Sequence, residues 1–168
     1  MNRYSLLCLF SVAVCGMAGT AEAATVSRTF YQNGGSACTG ALPTFEGALR
    51  KRPKAIANVG TTTSFITCSA VGNDQNTAMP HLAFVYVTNR SAAPVDLSCT
   101  FINGDEYYGS ASVPQTVNLP VNVLTSVFWF PESPDPTFLR DAVSVSCALP
   151  PGVEVNLFGQ SIQQDVGL

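Results

Sequence analysis

Two segments of the chain repeat one pattern, and each ends in a cysteine. Val95 to Cys99 (VDLSC) and Val143 to Cys147 (VSVSC) both alternate apolar and polar residues. Successive side chains of a β-strand point to opposite faces, so this alternation predicts two strands that each have one apolar face. Each cysteine falls on the apolar face, which directs its thiol toward a core.

The start of the chain has the features of a secretory signal peptide, predicted at residues 1–23. Arg3 supplies a positive charge, residues 5–20 are apolar or small, and Ala21 and Ala23 are small residues at the positions that a signal peptidase reads. We expect cleavage before Ala24, with a cut after Ala21 or a lipoprotein cut before Cys15 as alternatives. Residues 24–168 are then predicted to form one domain of a secreted or periplasmic bacterial protein, without a transmembrane segment.

Four cysteines lie in this predicted domain: Cys38, Cys68, Cys99 and Cys147. An even number of cysteines in an exported chain predicts disulfide bonds, and four cysteines allow three pairings. A zinc site would need clustered pairs such as C-x-x-C, whereas these four are widely spaced. The matching alternation around Cys99 and Cys147 favours that pair, which leaves Cys38 to pair with Cys68. We predict no metal site and no cofactor.

The period of two continues through the rest of the chain. Strands are predicted at residues 25–32, 54–59, 62–68, 82–88, 95–102, 107–113, 121–130, 142–149 and 153–162. Residues 82–88 are apolar on both faces, which is typical of a central strand. In residues 121–130, Trp129 belongs to one apolar face and Phe128 to the other. Asn103-Gly104 predicts a tight turn.

The strand pattern predicts an all-β fold. We expect an antiparallel β-sandwich of about eight strands, immunoglobulin-like in general architecture and held by two disulfides. A small β-barrel is the alternative architecture. Helix is expected only as a single turn at residues 45–49, because Pro53 limits its extension.

The most unusual segment is a basic run. Arg50, Lys51, Arg52 and Lys54 are four of the eight Lys and Arg residues in the chain, and Pro53 keeps them out of a regular helix. We interpret the run first as a solvated loop whose charges keep an edge strand from aggregating. The functional alternative is a docking site for phosphate, lipopolysaccharide or an acidic partner, which makes these four residues the leading candidate binding site in the sequence.

A second candidate contact region follows the predicted Asn103-Gly104 turn. It consists of Asp105, Glu106, Tyr107 and Tyr108. Adjacent tyrosines in a strand point to opposite faces, so we expect at least one of the two rings to be exposed for binding.

The chain lacks the residues that several catalytic mechanisms require. His81 is the single histidine, so a multi-histidine metal site is excluded, and no Gly-x-Ser-x-Gly motif is present. Carboxylates on turns could still meet in space as they do in glycosidases, which sequence spacing does not test. A net charge of −3 gives no general attraction to nucleic acid. We therefore predict a protein that is not an enzyme and does not bind nucleic acid.

These observations predict a class of function but no ligand. We expect a non-catalytic protein that acts by binding or assembly at the cell envelope, with an envelope or extracellular partner and an oligomeric state that the sequence leaves open. A pilus or surface-assembly subunit is the first alternative, and a carboxylate-based hydrolase is the second.

Overall fold

The described part of the chain is built almost entirely from β-strands. A computed structural model describes residues 24–69, 78–105, 109–130 and 143–166. The predicted signal peptide lies outside the described residues, as do residues 70–77 between the third and fourth predicted strands. Among the described residues, no helix is long and apolar enough to cross a membrane.

A six-stranded sheet is organised around the long strand β11. In spatial order it contains β3 (Leu49–Arg52), β4 (Ala55–Asn58), β11 (Val153–Asp165), β6 (Ala78–Asn89) and β9 (Leu124–Trp129), and β1 (Thr25–Asn33) also pairs with β11. One edge of β11 pairs with β6, whereas β4 and β1 share the other edge. β1, β4 and β6 thus pair directly with β11. β9 joins the sheet by pairing with β6, and β3 joins it by pairing with β4.

A five-stranded sheet packs against the first. In spatial order it contains β2 (Cys38–Gly40), β5 (Ser64–Ser69), β10 (Val143–Leu149), β7 (Val95–Asp105) and β8 (Gly109–Leu119). Two helical turns, α1 (Gly34–Ala37) and α2 (Pro43–Glu46), lie between the first strands. The predicted antiparallel β-sandwich is confirmed, and the two sheets do not close into the alternative barrel.

The core lies between the two sheets, where alternate residues of both point inward. Val143, Val145, Cys147 and Leu149 of β10 are buried, whereas the residues between them are partly exposed. Trp129 of the six-stranded sheet stacks on Phe101 of the five-stranded sheet, with ring centroids 6.2 Å apart. The apolar alternation found in the sequence therefore forms the contact between the sheets.

Both predicted disulfides are present, Cys38–Cys68 and Cys99–Cys147. In each case the two cysteines are direct register partners on adjacent strands, β2 with β5 and β7 with β10. All four sulfur-bearing side chains are buried in the core. Both bonds therefore fix strand pairing within the five-stranded sheet.

Two local predictions were wrong. The basic run is not a loop, because Arg50, Lys51 and Arg52 lie in the edge strand β3 and pair with β4. The Asn103-Gly104 turn is absent, since β7 continues to Asp105 and Gly104 pairs with Ser110. Gly104 has a φ of 103°, so its backbone freedom is used inside the ladder instead of at a turn.

We expect the Cys99–Cys147 bond to contribute strongly to stability. Replacing both cysteines by alanine should lower the free energy of unfolding by up to about 4 kcal/mol, because the unfolded chain loses a long cross-link. Urea unfolding followed by the fluorescence of Trp129, the single tryptophan, measures this. The matched Cys38→Ala, Cys68→Ala variant should lose slightly less, because its loop of 30 residues is shorter than the loop of 48. An unchanged urea midpoint in the first variant would contradict the prediction.

Candidate functional site

The candidate site is the outer face of the six-stranded sheet, the face turned away from the core. In β6, Val85 and Val87 enter the core, so alternation turns Phe84 and Tyr86 outward. In β9 the same alternation turns Phe128 outward. Antiparallel sheets usually present polar residues on a face turned to water. Large aromatic residues on this face therefore point to a surface with a function.

One row across this face is aromatic. Tyr31, Gly159, Phe84 and Phe128 are register partners on β1, β11, β6 and β9. The ring centroid of Phe84 lies 5.7 Å from that of Tyr31 and 5.9 Å from that of Phe128. At about 4.8 Å per strand spacing, the row extends roughly 14 Å across the sheet.

Two further rings widen the row into a cluster. Tyr86 lies 5.5 Å from Phe84 and Phe130 lies 6.3 Å from Phe128, measured between ring centroids. We call these five residues the aromatic cluster. Phe84 is only 3% exposed, whereas Tyr31 and Phe130 are 61% and 62% exposed. The cluster thus has a packed centre and two exposed ends.

Gly159 is the position that allows the rings of the row to meet. It lies on β11 between Tyr31 and Phe84. A Cβ atom built at Gly159 would overlap the Phe84 ring and would lie 3.0 Å from the backbone oxygen of Phe30. The Phe84 ring therefore occupies the space that a side chain at position 159 would take.

A β-bulge in β11 decides which of its residues reach the outer face. Val155 and Phe158 both point into the core although they are three residues apart. The register with β6 shifts between Val155 and Leu157, so Asn156 is the extra residue. Without this insertion, strict alternation would turn Gly159 toward the core. The bulge therefore places Gly159 on the same face as the aromatic residues.

A polar groove of about 460 Å³ adjoins the aromatic cluster on the same face. Its lining shares Tyr86 with the cluster and is otherwise mixed in polarity: Asn33, Lys54, Thr88, Arg90, Asn122, Leu124, Asn156 and Leu157. The Thr88 hydroxyl donates to Oδ1 of Asn156 at 2.8 Å. Side-chain amides, a hydroxyl and cationic groups therefore lie beside exposed aromatic rings.

Glu154 is the buried charge of this face. Its side chain is 7% exposed, and its two carboxylate oxygens lie 3.0 Å from Nε of Arg90 and 3.6 Å from Nη1 of Arg52. Nδ2 of Asn156 also donates to Glu154, at 3.2 Å. Glu154 and the two arginines line a second hollow of about 230 Å³, which shares Arg90 with the polar groove. Glu154 thus holds the two arginines in position between the hollows.

The basic run contributes to this face, although not all of it does. Arg50 pairs with Ala57, and Ala57 pairs with Glu154, so the three residues share the outer face. Arg52 contacts Glu154, and Lys54 lines the polar groove. Lys51 alternates with these arginines and points to the opposite side, together with Leu49, which packs against the core.

Of the second region predicted from the sequence, the structure describes Asp105. Asp105 ends β7 in the five-stranded sheet, and Glu106, Tyr107 and Tyr108 lie outside the described residues. The four cysteines are structural.

Sequence reasoning missed the aromatic cluster, which lies on three strands distant in sequence. The available signal was that residues 82–88 and 124–130 are apolar on both faces. In residues 82–88 the same pattern also fits a central strand, which β6 is.

Comparisons with known proteins give only weak similarities. No protein-family model matches the chain, and no curated protein matches it. A solved CBM4 structure aligns with 83% of this chain and 84% of its own chain, at 12% identity and a TM-score of 0.37. A structure of exo-β-1,3-galactanase from Phanerochaete chrysosporium with galactose aligns with 82% of this chain, at 13% identity and a TM-score of 0.31. The chain spans 27% of the length of that galactanase. Similarities at this level assign neither a family nor a function.

We expect Gly159→Ala to disrupt the aromatic cluster. The new methyl group overlaps the Phe84 ring, so the free energy of unfolding should fall by about 1–3 kcal/mol, as for other overpacked sites. Gly47→Ala is the matched control, since its Cβ would meet no atom within 4 Å and its φ is −65°. Urea unfolding of both variants measures the effect. Equal stabilities of the two variants would show that the Phe84 ring does not depend on Gly159.

Proposed function

We propose that this chain is an exported, non-catalytic protein that binds a glycan chain on the outer face of its six-stranded sheet. The observation that carries the proposal is the aromatic row formed by Tyr31, Phe84 and Phe128 across Gly159. The row lies beside a groove lined by amide and hydroxyl groups.

The mixture of groups on this face fits sugar better than a purely apolar ligand. A sugar ring has a face of C–H groups that packs on an aromatic ring, and a rim of hydroxyls that both donate and accept hydrogen bonds. Exposed Tyr31 and Phe128 supply the first contact. The amides of Asn33, Asn122 and Asn156 supply both donors and acceptors for the second.

The disulfides support the location that we propose. Two buried disulfides are typical of an oxidising compartment, such as the periplasm or the cell exterior. We therefore place the protein in the periplasm or outside the cell, where envelope glycans are accessible, with the signal peptide at residues 1–23 directing export.

A non-catalytic role is supported by the state of Glu154. Glycoside hydrolysis by the usual mechanisms needs two carboxyl groups about 5–10 Å apart. Among the described residues that line the two hollows, Glu154 is the single carboxylate, and two arginines contact it. The arrangement suits holding a ligand better than cleaving one.

Assembly with a second copy is the alternative function, and one observation favours it. Leu124 and Phe130 are 60% and 62% exposed on the same face, as in surfaces that associate. Addition of a strand beside β3 or β8 is less favourable, because β3 carries Arg50, Lys51 and Arg52, and β8 carries Pro114. In this alternative, self-association uses the face that carries Leu124 and the aromatic cluster.

We expect a Tyr31→Ala, Phe128→Ala variant to lose glycan binding at least tenfold, because two stacking contacts are removed. Affinity electrophoresis through gels containing dextran, hydroxyethyl cellulose, xylan or polygalacturonate measures the loss. Phe65→Ala is the matched control, since Phe65 is a half-exposed aromatic residue in β5 of the other sheet, where it contacts Phe45.

Three results would count against glycan binding on this face. The first is equal loss in the control variant, and the second is full binding by the double variant. The third is no retardation of the native protein by any of the polysaccharides. If the native protein then sediments as a dimer or polymer and the double variant as a monomer, the assembly function replaces glycan binding.

A further inference from the structure

The outer face of the six-stranded sheet is cationic at the end away from the aromatic row. The lining of the two hollows includes Arg52, Lys54 and Arg90 against one carboxylate, Glu154. Arg50 lies on the same face, in the row of Glu154. The described residues of this region thus have an excess of positive charge, although the whole chain has a net charge of −3.

Glu154 positions the arginines without covering them. Arg52 and Arg90 each contact one of its carboxylate oxygens, yet their side chains are 51% and 53% exposed. Each guanidinium has five N–H donors. Arg90 uses Nε toward Glu154 and Nη1 toward Asn122, at 3.0 and 3.4 Å. The guanidinium groups are therefore held in place while donors remain directed to the solvent side.

The cationic hollow and the aromatic cluster are continuous. Tyr86 lines the polar groove and lies 5.5 Å from Phe84 at the centre of the cluster. Arg90 lines both the groove and the second hollow. A single extended ligand can therefore contact aromatic rings at one end and arginines at the other.

We propose that the glycan bound on this face is anionic, and that its acidic groups lie against Arg52, Arg90 and Lys54 while its sugar rings pack on the aromatic cluster. This inference rests on the proposed glycan-binding function. Guanidinium forks bind planar or tetrahedral oxyanions in bidentate geometry. The chemistry recognised is an anionic substituent on a sugar chain, whether carboxylate or sulfate.

Charge complementarity favours this ligand over a membrane surface. A bilayer of anionic lipids would contact a protruding basic and apolar surface, whereas Arg90 and Glu154 line a hollow and Glu154 is buried. An acidic polysaccharide is thin enough to lie along the groove. Binding to anionic vesicles without binding to acidic polysaccharides would therefore overturn the proposal.

The test uses two matched pairs of soluble polysaccharides that differ in charge. Polygalacturonate is compared with its methyl ester, and dextran sulfate with dextran, by affinity electrophoresis and by titration of the full chain at 50 and 500 mM NaCl. The native protein should prefer the charged member of at least one pair at least tenfold at the lower salt concentration, and the preference should shrink at the higher one. The pair that shows the preference identifies carboxylate or sulfate as the anionic group.

Two variants locate the charge recognition. Arg52→Ser should reduce the preference for the charged member over the neutral member about threefold or more. The fold should be kept, since Arg90 still contacts Glu154 at 3.0 Å, and circular dichroism checks this. Lys51→Ser is the matched control, because it removes the same charge from the same strand on the opposite face. It should leave the preference unchanged.

The outcomes separate this inference from the proposed function. If charged and neutral members bind equally and the Tyr31→Ala, Phe128→Ala variant binds neither, glycan binding stands and the anionic ligand is wrong. If no polysaccharide binds, both are wrong. An equal effect of Arg52→Ser and Lys51→Ser would mean that the attraction comes from overall charge, and it would overturn the assignment of the site.

Discussion

The pairing of β11 along both of its edges is the constraint on which the six-stranded sheet depends. β6 lies on one edge, and β4 and β1 divide the other between them. β9 and β3 join only through β6 and β4. The bulge at Asn156 reverses the alternation of β11 near the start of the strand. As a result, one strand contributes Glu154 to the cationic half of the face and Gly159 to the aromatic half.

The outer face combines groups that a purely structural sheet would avoid. Leaving Tyr31 and Phe130 largely in water forgoes the stabilisation that burial of their rings would give. Burying the Glu154 carboxylate has a desolvation cost, and the Arg52 and Arg90 side chains that contact it remain half exposed. Departures of this kind from local rules are typical of functional sites. They coincide here on one face of one sheet.

The architecture could be predicted from the sequence because the alternation of apolar and polar residues is a local pattern. Alternation predicts the strands and the inward direction of Cys99 and Cys147 without knowledge of their neighbours. The two short strands β2 and β3 are not predicted, because β2 has only three residues and the charges of β3 indicate a solvated loop. The basic run was found as a cluster along the chain, but its strand conformation was not predicted.

The aromatic cluster could not be predicted in the same way, because it is assembled by register. Tyr31, Phe84 and Phe128 become neighbours only through the pairing of β1, β11, β6 and β9. A shift of one residue in any of these pairings would send an aromatic side chain to the core face. The role of Gly159 could not be predicted from the sequence either, because it depends on the Phe84 ring that occupies the space beside it.

The position of the two disulfides has a consequence for how the chain matures. Each bond joins direct register partners with core-facing sulfurs, Cys38 with Cys68 and Cys99 with Cys147. A one-residue slip of β10 against β7 would put Cys99 and Cys147 on opposite faces of the sheet, where their sulfurs cannot bond. Oxidation therefore selects correctly aligned molecules. Both bonds lie in the sheet opposite the aromatic cluster. A fully oxidised chain therefore shows that the five-stranded sheet is aligned, whereas the alignment of the aromatic cluster depends on strand pairing and packing without a covalent bond.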